Sequence, residues 1–504
     1  MAQARARWLL QVLLVWPLKA LWTASVVAIP ALGVWIASSI AAYRNGPVWL
    51  ACACGLLLFP IAPLLWDLLA SWWRGRGKRA RPRILTFWDR LVLRTLVLNL
   101  GVLAALLVRF PQTTFAALST RGDWFLDGQA GPRVDRARAL LFRAADGVEW
   151  LYDAVRTNPY EDAVRGEQPP VDPPPVPKDS TPTPTITPTP TITPTITPTP
   201  GQPAPVVTPA PAVTPAATWP LPATLHPLVV GMPKDAEQSI EAVGRYIAER
   251  EPDRRLRIKA LHDYVADRVA YDAEAYADRR YPPQDAETVF KTHMAVCAGS
   301  ANLLEALGKA AGEEIVVVLG DARNRESDVT GEGHAWNAAR IDDAWYLIDA
   351  TWDAGSVEGR TFTKRYGTSY LFAPPAVFAV SHFPDEPRWQ LQEPPVSRGD
   401  FFRAPMMGAD FFAEGLTLVA PDRSQVTVDE VFELAVDNPR GRFILARHVA
   451  EDGTSERCAV VNGPRATARC ALPAPGAYQV RLFAAAEEYG SYPMVGSFAV
   501  NRAR

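Results

Sequence analysis

Residues 296–353 read VCAGSANLLEALGKAAGEEIVVVLGDARNRESDVTGEGHAWNAARIDDAWYLIDATWD and set Cys297, His334 and Asp349 in that order. Leu303, Leu304 and Leu307 share a stripe, so 297–311 is predicted to be a helix that begins at Cys297. A cysteine in a first helical turn faces exposed backbone amides, whose partial positive charge favours the thiolate. A lone cysteine is more often buried and structural, so the neighbouring residues must decide. Residues 315–319 have a strand pattern, a polar Gly-containing loop runs to Gly333, and a hairpin follows, with strands at 334–341 and 344–349 joined by Asp342 and Asp343. Counting outward from that turn pairs Ile341 with Ala344 and Trp336 with Asp349. His334 then lies diagonal to Asp349 on one face, within side-chain reach. A register slip of one residue would put them on opposite faces. The order suits thiol chemistry, in which a base holds the cysteine proton and a carboxylate orients the base.

The blocks VCAGSA, GHAWNA and WYLIDATWD resemble those of the transglutaminase-like superfamily, with its papain-like cysteine chemistry. YLFAPPAVFAVSHFPDEPRWQLQ at 370–392 and PVSRGDFFRAP at 395–405 resemble its kyphoscoliosis-peptidase and cytokinesis-protein branch. The resemblance runs from about residue 223 to the C-terminus. It implies an α+β papain-like domain over 223–398, with Cys297 as nucleophile, His334 as base and Asp349 as orienting carboxylate. It further implies attack on a carboxamide or peptide carbonyl, then passage of a thioester to water or to an amine. The Cys297 amide is one oxyanion donor, and the second is open. Ser300 departs from relatives that carry an aromatic residue there. Trp336 suits the core better than a cleft wall. His293, Asp353 and His382 are also available, and His382 is read as a packed or turn histidine. No His or Cys spacing resembles a zinc site, so neither metal nor cofactor is expected.

Working outward, 504 residues exceed one ordinary domain, and a net charge of −2 suggests no nucleic-acid partner. Uncharged runs at 20–43, 48–66 and about 91–110 are each long enough to cross a bilayer, with Arg94 placed to snorkel. Residues 8–18 either extend the first helix or lie in the interface, and no small-residue cleavage site marks a signal peptide. Cys52 and Cys54 sit in an apolar run and are expected to be inert. Arg5, Arg7 and Lys19 precede the first span, Arg44 alone follows it, and Arg74, Arg76, Lys78, Arg79, Arg81 and Arg83 separate the second from the third. Basic residues stay cytoplasmic, so everything after residue 110 is expected outside the cytoplasm.

Residues 111–167 carry an amphipathic helix at 133–156, suited to the outer membrane surface or to self-association. Residues 168–222 form a Pro/Thr-rich tract centred on TPTPTITPTPTITPTITPTP, where alternating proline forbids helix and sheet. Such a disordered linker, some 50 residues at about 3.1 Å each, would hold a domain on the order of 150 Å from the membrane. Its Thr and Pro content also suits O-glycosylated stalks. Helices are expected at 235–249 and 252–269. Residues 399–504 alternate in short runs, predicting an antiparallel, immunoglobulin-like sandwich of about seven strands. Cys458 and Cys470 flank the NGPR turn; a disulfide and two reduced core thiols both fit.

The chain is thus expected to be multidomain: an α-helical transmembrane anchor over 1–110, an α+β transglutaminase-like domain and a C-terminal all-β sandwich. The expected function is that of a membrane-anchored extracytoplasmic thiol enzyme, peptidase, amidase or transamidase, acting on envelope proteins or cell-wall peptides. The alternative is a non-catalytic envelope scaffold with a vestigial triad. Expected partners are a peptide or protein substrate and the lipid bilayer; oligomeric state is open.

Overall fold

The computed structural model describes residues 16–46, 48–75, 85–129, 131–165, 219–324 and 329–503. Most of segment 8–18, most of the basic loop and nearly all of the proline tract lie outside them. Among the described residues, three helical stretches are long and apolar enough to cross a membrane: Ala24–Tyr43, Trp49–Trp73 and Phe87–Arg109. The second is interrupted where Phe59 becomes extended ahead of Pro60, because proline cannot donate to the helical ladder and crowds the preceding turn. The third starts on a capping box in which Thr86 N–H donates to Asp89 Oδ2 at 3.0 Å and Asp89 N–H donates to Thr86 Oγ1 at 3.2 Å. Arg94 does not snorkel freely; it pairs with Asp67 of the preceding helix, since a carboxylate among apolar helices needs a cation.

Beyond the third span the chain stays against the domains that follow. Helix Pro111–Arg121 packs Phe115 on Phe402 at 5.7 Å between ring centroids, and Arg403 donates to Ser119 O at 3.0 Å. The amphipathic helix expected at 133–156 is divided at Gly147 into Pro132–Asp146 and Glu149–Asp153. The short second part is tied to the domains that follow: Arg398 N–H donates to Glu149 at 3.2 Å, and the Arg398 guanidinium meets Asp153 at 3.1 Å.

The picture of a spacer holding the enzyme far from the membrane is therefore corrected. Chain on both sides of residues 166–218 belongs to one packed body. Arg156 donates to Asp321 at 2.8 Å just before the tract, and Trp219 and Leu221 enter the core just after it. The physical reason is that ion pairs and aromatic packing before the tract find partners after it.

The central sheet is five-stranded and antiparallel, in the order Leu371–Ala373, Ala344–Ile348, Glu332–Ile341, Glu314–Ala322, His382–Pro384. Helix Cys297–Ala310 lies on one face, tied by Asn337 Nδ2 donating to Ala301 O at 3.0 Å. Helices Ile240–Arg250 and Arg254–Arg268 complete that layer, capped by Ser239 and Asp253.

The C-terminal region is β-rich, with a four-stranded and a six-stranded sheet around one core that includes Phe432, Val436, Leu482 and Phe498. Strand Arg465–Ala471 alternates buried and exposed residues along its length, as one face on a core requires. The sheets are not purely antiparallel, because Gln425–Val428 runs parallel to Met494–Arg502. Cys458 and Cys470 form a disulfide beside the Ala459↔Arg469 pair, which resolves the two sequence readings in favour of the bond.

Candidate functional site

Val296 is extended and its N–H donates to Gln284 Oε1 at 2.9 Å, which fixes where helix Cys297–Ala310 begins. Gly299 lets that helix approach: a Cβ there would stand 2.5 Å from Gln284 Oε1. Cys297 is buried and free, in the first turn as the periodicity predicts. Across from it, Glu332–Ile341 and Ala344–Ile348 pair Ile341 with Ala344 and Asn337 with Ile348, the predicted register. The ladder ends there, so Trp336 and Asp349 do not pair. Asp349 N–H instead donates to Tyr370 O at 3.1 Å.

Leaving the strand makes Asp349 the N-cap of Ala350–Ala354, its Oδ1 accepting from Thr351 N–H at 2.9 Å and Trp352 N–H at 3.1 Å. Its Oδ2 accepts from His334 Nε2 at 2.8 Å and from His382 Nε2 at 3.1 Å. Both oxygens of this fully buried carboxylate are thus satisfied, as burial demands. With Nε2 on Asp349, the His334 imidazole shares one cleft with Cys297, whose sulfur is near enough to act on its charge.

Burial alone would lower the His334 pKa, but the Asp349 carboxylate and the Cys297 sulfur outweigh it and raise the value to about 10. Burial would raise the Asp349 pKa, yet the His334 charge and the bonds from both histidines hold it well below the ordinary carboxylate range. For His382 burial prevails over its bond to Asp349 and pushes the pKa down to about 4. At neutral pH the cluster is therefore His334 imidazolium, Asp349 carboxylate and neutral His382.

His382 is packed, as predicted, with its ring centroid 4.1 Å from Phe378 and Ser381 Oγ 2.8 Å from its Nδ1. Sequence reading missed that it is the second donor to Asp349, because no local pattern links residues 33 positions apart. His334 Nε2, His382 Nε2 and an Asp349 oxygen lie within 4.8 Å of one another, a metal-like grouping. Both ring N–H groups already point at that oxygen, and the set is closed as a hydrogen-bonded cluster. Trp336 is core, as expected, and stacks against His334 at 6.0 Å. Asp353 lines the cleft that Cys297 and His334 share, and there accepts from His262 Nε2 at 3.2 Å, whereas His293 stands elsewhere and ends helix Ala286–Thr292 with φ 55°.

Cys297 and His334 open on a cleft of about 730 Å³. Its aromatic wall includes Tyr160, Tyr271, Tyr276 and Trp352, and Met406 and Asp410 extend it. Sequence reading assigned none of these to the site. Only Trp352, inside WYLIDATWD, carried a signal, from its place three residues after Asp349. A thiol at a helix start, an imidazole on the facing strand and a buried carboxylate behind it can form, hold and discharge an acyl-thioester.

These features define an α+β domain that gathers a cysteine, a histidine and an aspartate at one cleft. Residues 241–350 match the model described as the Transglutaminase-like superfamily. The mouse (Mus musculus) protein named Kyphoscoliosis peptidase is 30% identical over 177 residues, 34% of this chain and 27% of that protein. Its human (Homo sapiens) counterpart is 29% identical over 177 residues, with the same coverage. A solved structure described as "Crystal structure of a TGase" is 23% identical over 26% of this chain and 34% of its own, at a TM-score of 0.20. The chain carries a transglutaminase-like domain of the kyphoscoliosis-peptidase branch, and it spans about a quarter of the length of the relatives it matches.

Proposed function

We propose that this is a membrane-anchored extracytoplasmic thiol enzyme that acts on peptide or isopeptide bonds of envelope proteins or wall peptides. The observation that supports it best is the 2.8 Å bond from His334 to Asp349 beside Cys297 in one cleft. The Cys297 thiolate attacks the carbonyl carbon, and charge builds on the carbonyl oxygen near the first-turn amides of the helix. As the tetrahedral adduct collapses, the carbon–nitrogen bond breaks and His334 gives its proton to the departing amine. Water or a second amine then attacks the thioester, His334 takes the incoming proton, and the thiolate is restored. Water makes the reaction hydrolysis; an amine makes it transfer.

Sidedness is part of the proposal. The basic loop between the second and third spans favours a cytoplasmic loop and an external C-terminal part, and the Cys458–Cys470 disulfide suits an oxidising compartment. The C-terminal region we read as an immunoglobulin-like sandwich. The test is alkylation of the full chain in detergent by iodoacetamide, with labelling assigned by peptide mass. Cys297 is expected to react faster than a model thiol, and His334→Ala to remove the advantage. Equal rates would favour a scaffold with a vestigial triad. Incubation with wall peptides and an added primary amine, read by product mass, separates hydrolysis from transfer.

A further inference from the structure

The matched family domain begins at residue 241, yet part of the wall around the sulfur comes from chain ahead of the proline tract. Tyr160 is 2% exposed and packs in one cluster with Val296, Cys297, Ala298 and Ala301. Its ring lies 5.3 Å from Tyr281, and it lines the cleft that Cys297 and His334 share. The backbone that carries it is held on three sides. Asn158 Nδ2 donates to Gly320 O at 2.9 Å and to His334 O at 3.2 Å, while its Oδ1 accepts from Tyr160 N–H at 3.0 Å. Asn302, on the cysteine helix, donates to Ala163 O at 3.1 Å. Arg156 grips Asp321 and Asp385. Gly333, beside His334, is shaped to this arm: a Cβ there would meet Pro159 Cδ at 2.5 Å.

We propose that residues 156–164 are an integral wall of the active site and that Tyr160 is a substrate-facing residue covering the Cys297 sulfur. The proposal rests on the thiol-enzyme reading, and it makes the cleft a joint product of chain before and after the tract. Since 156–164 follow within the same packed body as helix Pro111–Arg121, substrates reach the thiol close to the membrane helices. Burial raises the Tyr160 pKa, so the phenol stays neutral in this wall.

The experiment uses the full chain in detergent micelles and compares a small thiol reagent, iodoacetamide, with a bulky one, fluorescein maleimide. Tyr160→Ala is expected to raise the ratio of bulky to small labelling of Cys297 about tenfold by opening access to the sulfur. Tyr160→Phe, which keeps the ring, is expected to stay near the parent ratio. An unchanged ratio in Tyr160→Ala overturns the proposal. Hydrogen exchange on the unmutated protein gives a second measurement that needs no variant. The Tyr160 amide, bonded to Asn158, is expected to be protected, and exchange of 158–164 at free-peptide rates overturns the docking. Should Cys297 react no faster than a model thiol, the enzyme reading fails while the exchange result still judges the arm.

Discussion

Two buried histidine–carboxylate clusters lie near each other in this domain, and only one meets a thiol. In the first, His334 and His382 share Asp349. In the second, His262 Nδ1 donates to Asp263 at 3.0 Å and Nε2 to Asp353 at 3.2 Å, with Lys259 and Tyr366 closing around Asp263. Their electrostatics are alike: burial works against the His262 charge, its two carboxylate bonds prevail, and the pKa rises to about 9. The difference is access. His334 lines the cleft with Cys297, whereas His262 has no exposed surface and reaches the cleft only through its partner Asp353 and through Tyr366 beside Asp263. A shifted pKa thus marks a charge network, and contact with a cleft and a nucleophile marks a candidate site.

The comparison breaks most plainly at its reactive end. His334→Ala is expected to cut Cys297 alkylation at pH 7 about tenfold or more and turnover of a wall-peptide substrate about a hundredfold or more. His262→Ala should leave the alkylation rate of folded protein within about twofold, because it touches no reacting group. Its effect belongs to stability: with Asp263 and Asp353 left short of a charged partner, denaturant unfolding should show a loss of about 3 kcal/mol. A large alkylation defect in His262→Ala would erase the distinction.

His382 lies between the two, since it bonds to the shared carboxylate but packs away from the cleft. His382→Ala is expected to cost about 1–3 kcal/mol by leaving Asp349 one donor short, with a smaller loss of alkylation than His334→Ala. Denaturation midpoints should report the smallest effect, through pH. His334 and His262 have folded values raised above 6.5, so their contributions are complete below pH 6.5 and are lost as pH rises through about 10 and about 9. His382 has a depressed folded value, so its contribution is present above 6.5 and is lost as pH falls through about 4. Stability should therefore decline on both sides, and His382→Gln should flatten only the acid limb. An acid limb unchanged in that variant would reverse the assignment of neutral His382.

Much of the candidate site was legible because its rules are local. A two-residue turn at Asp342 and Asp343 sets hairpin register, register sets which side chains share a face, and that brought His334 to Asp349. The Cys458–Cys470 pairing was within reach for the same reason, since hairpin geometry places the two residues opposite each other. Trp352 was overlooked because a tryptophan beside a strand end is equally at home in a core.

By itself the sequence determined four features: the three apolar helices came from the length of uncharged runs, the hairpin from a two-residue turn, and the helix start at Cys297 and the alternating β-rich tail from periodicities of two to four residues. Only the tertiary structure decided that His382 completes Asp349, that Arg94 pairs with Asp67, and that the chain before the proline tract walls the cleft after it. Asn158 and His334 are 176 positions apart, and such a contact has no period to read. It exists because a buried amide needs acceptors and a buried ring needs a surface, and the fold supplies both from chain that the local pattern could not connect.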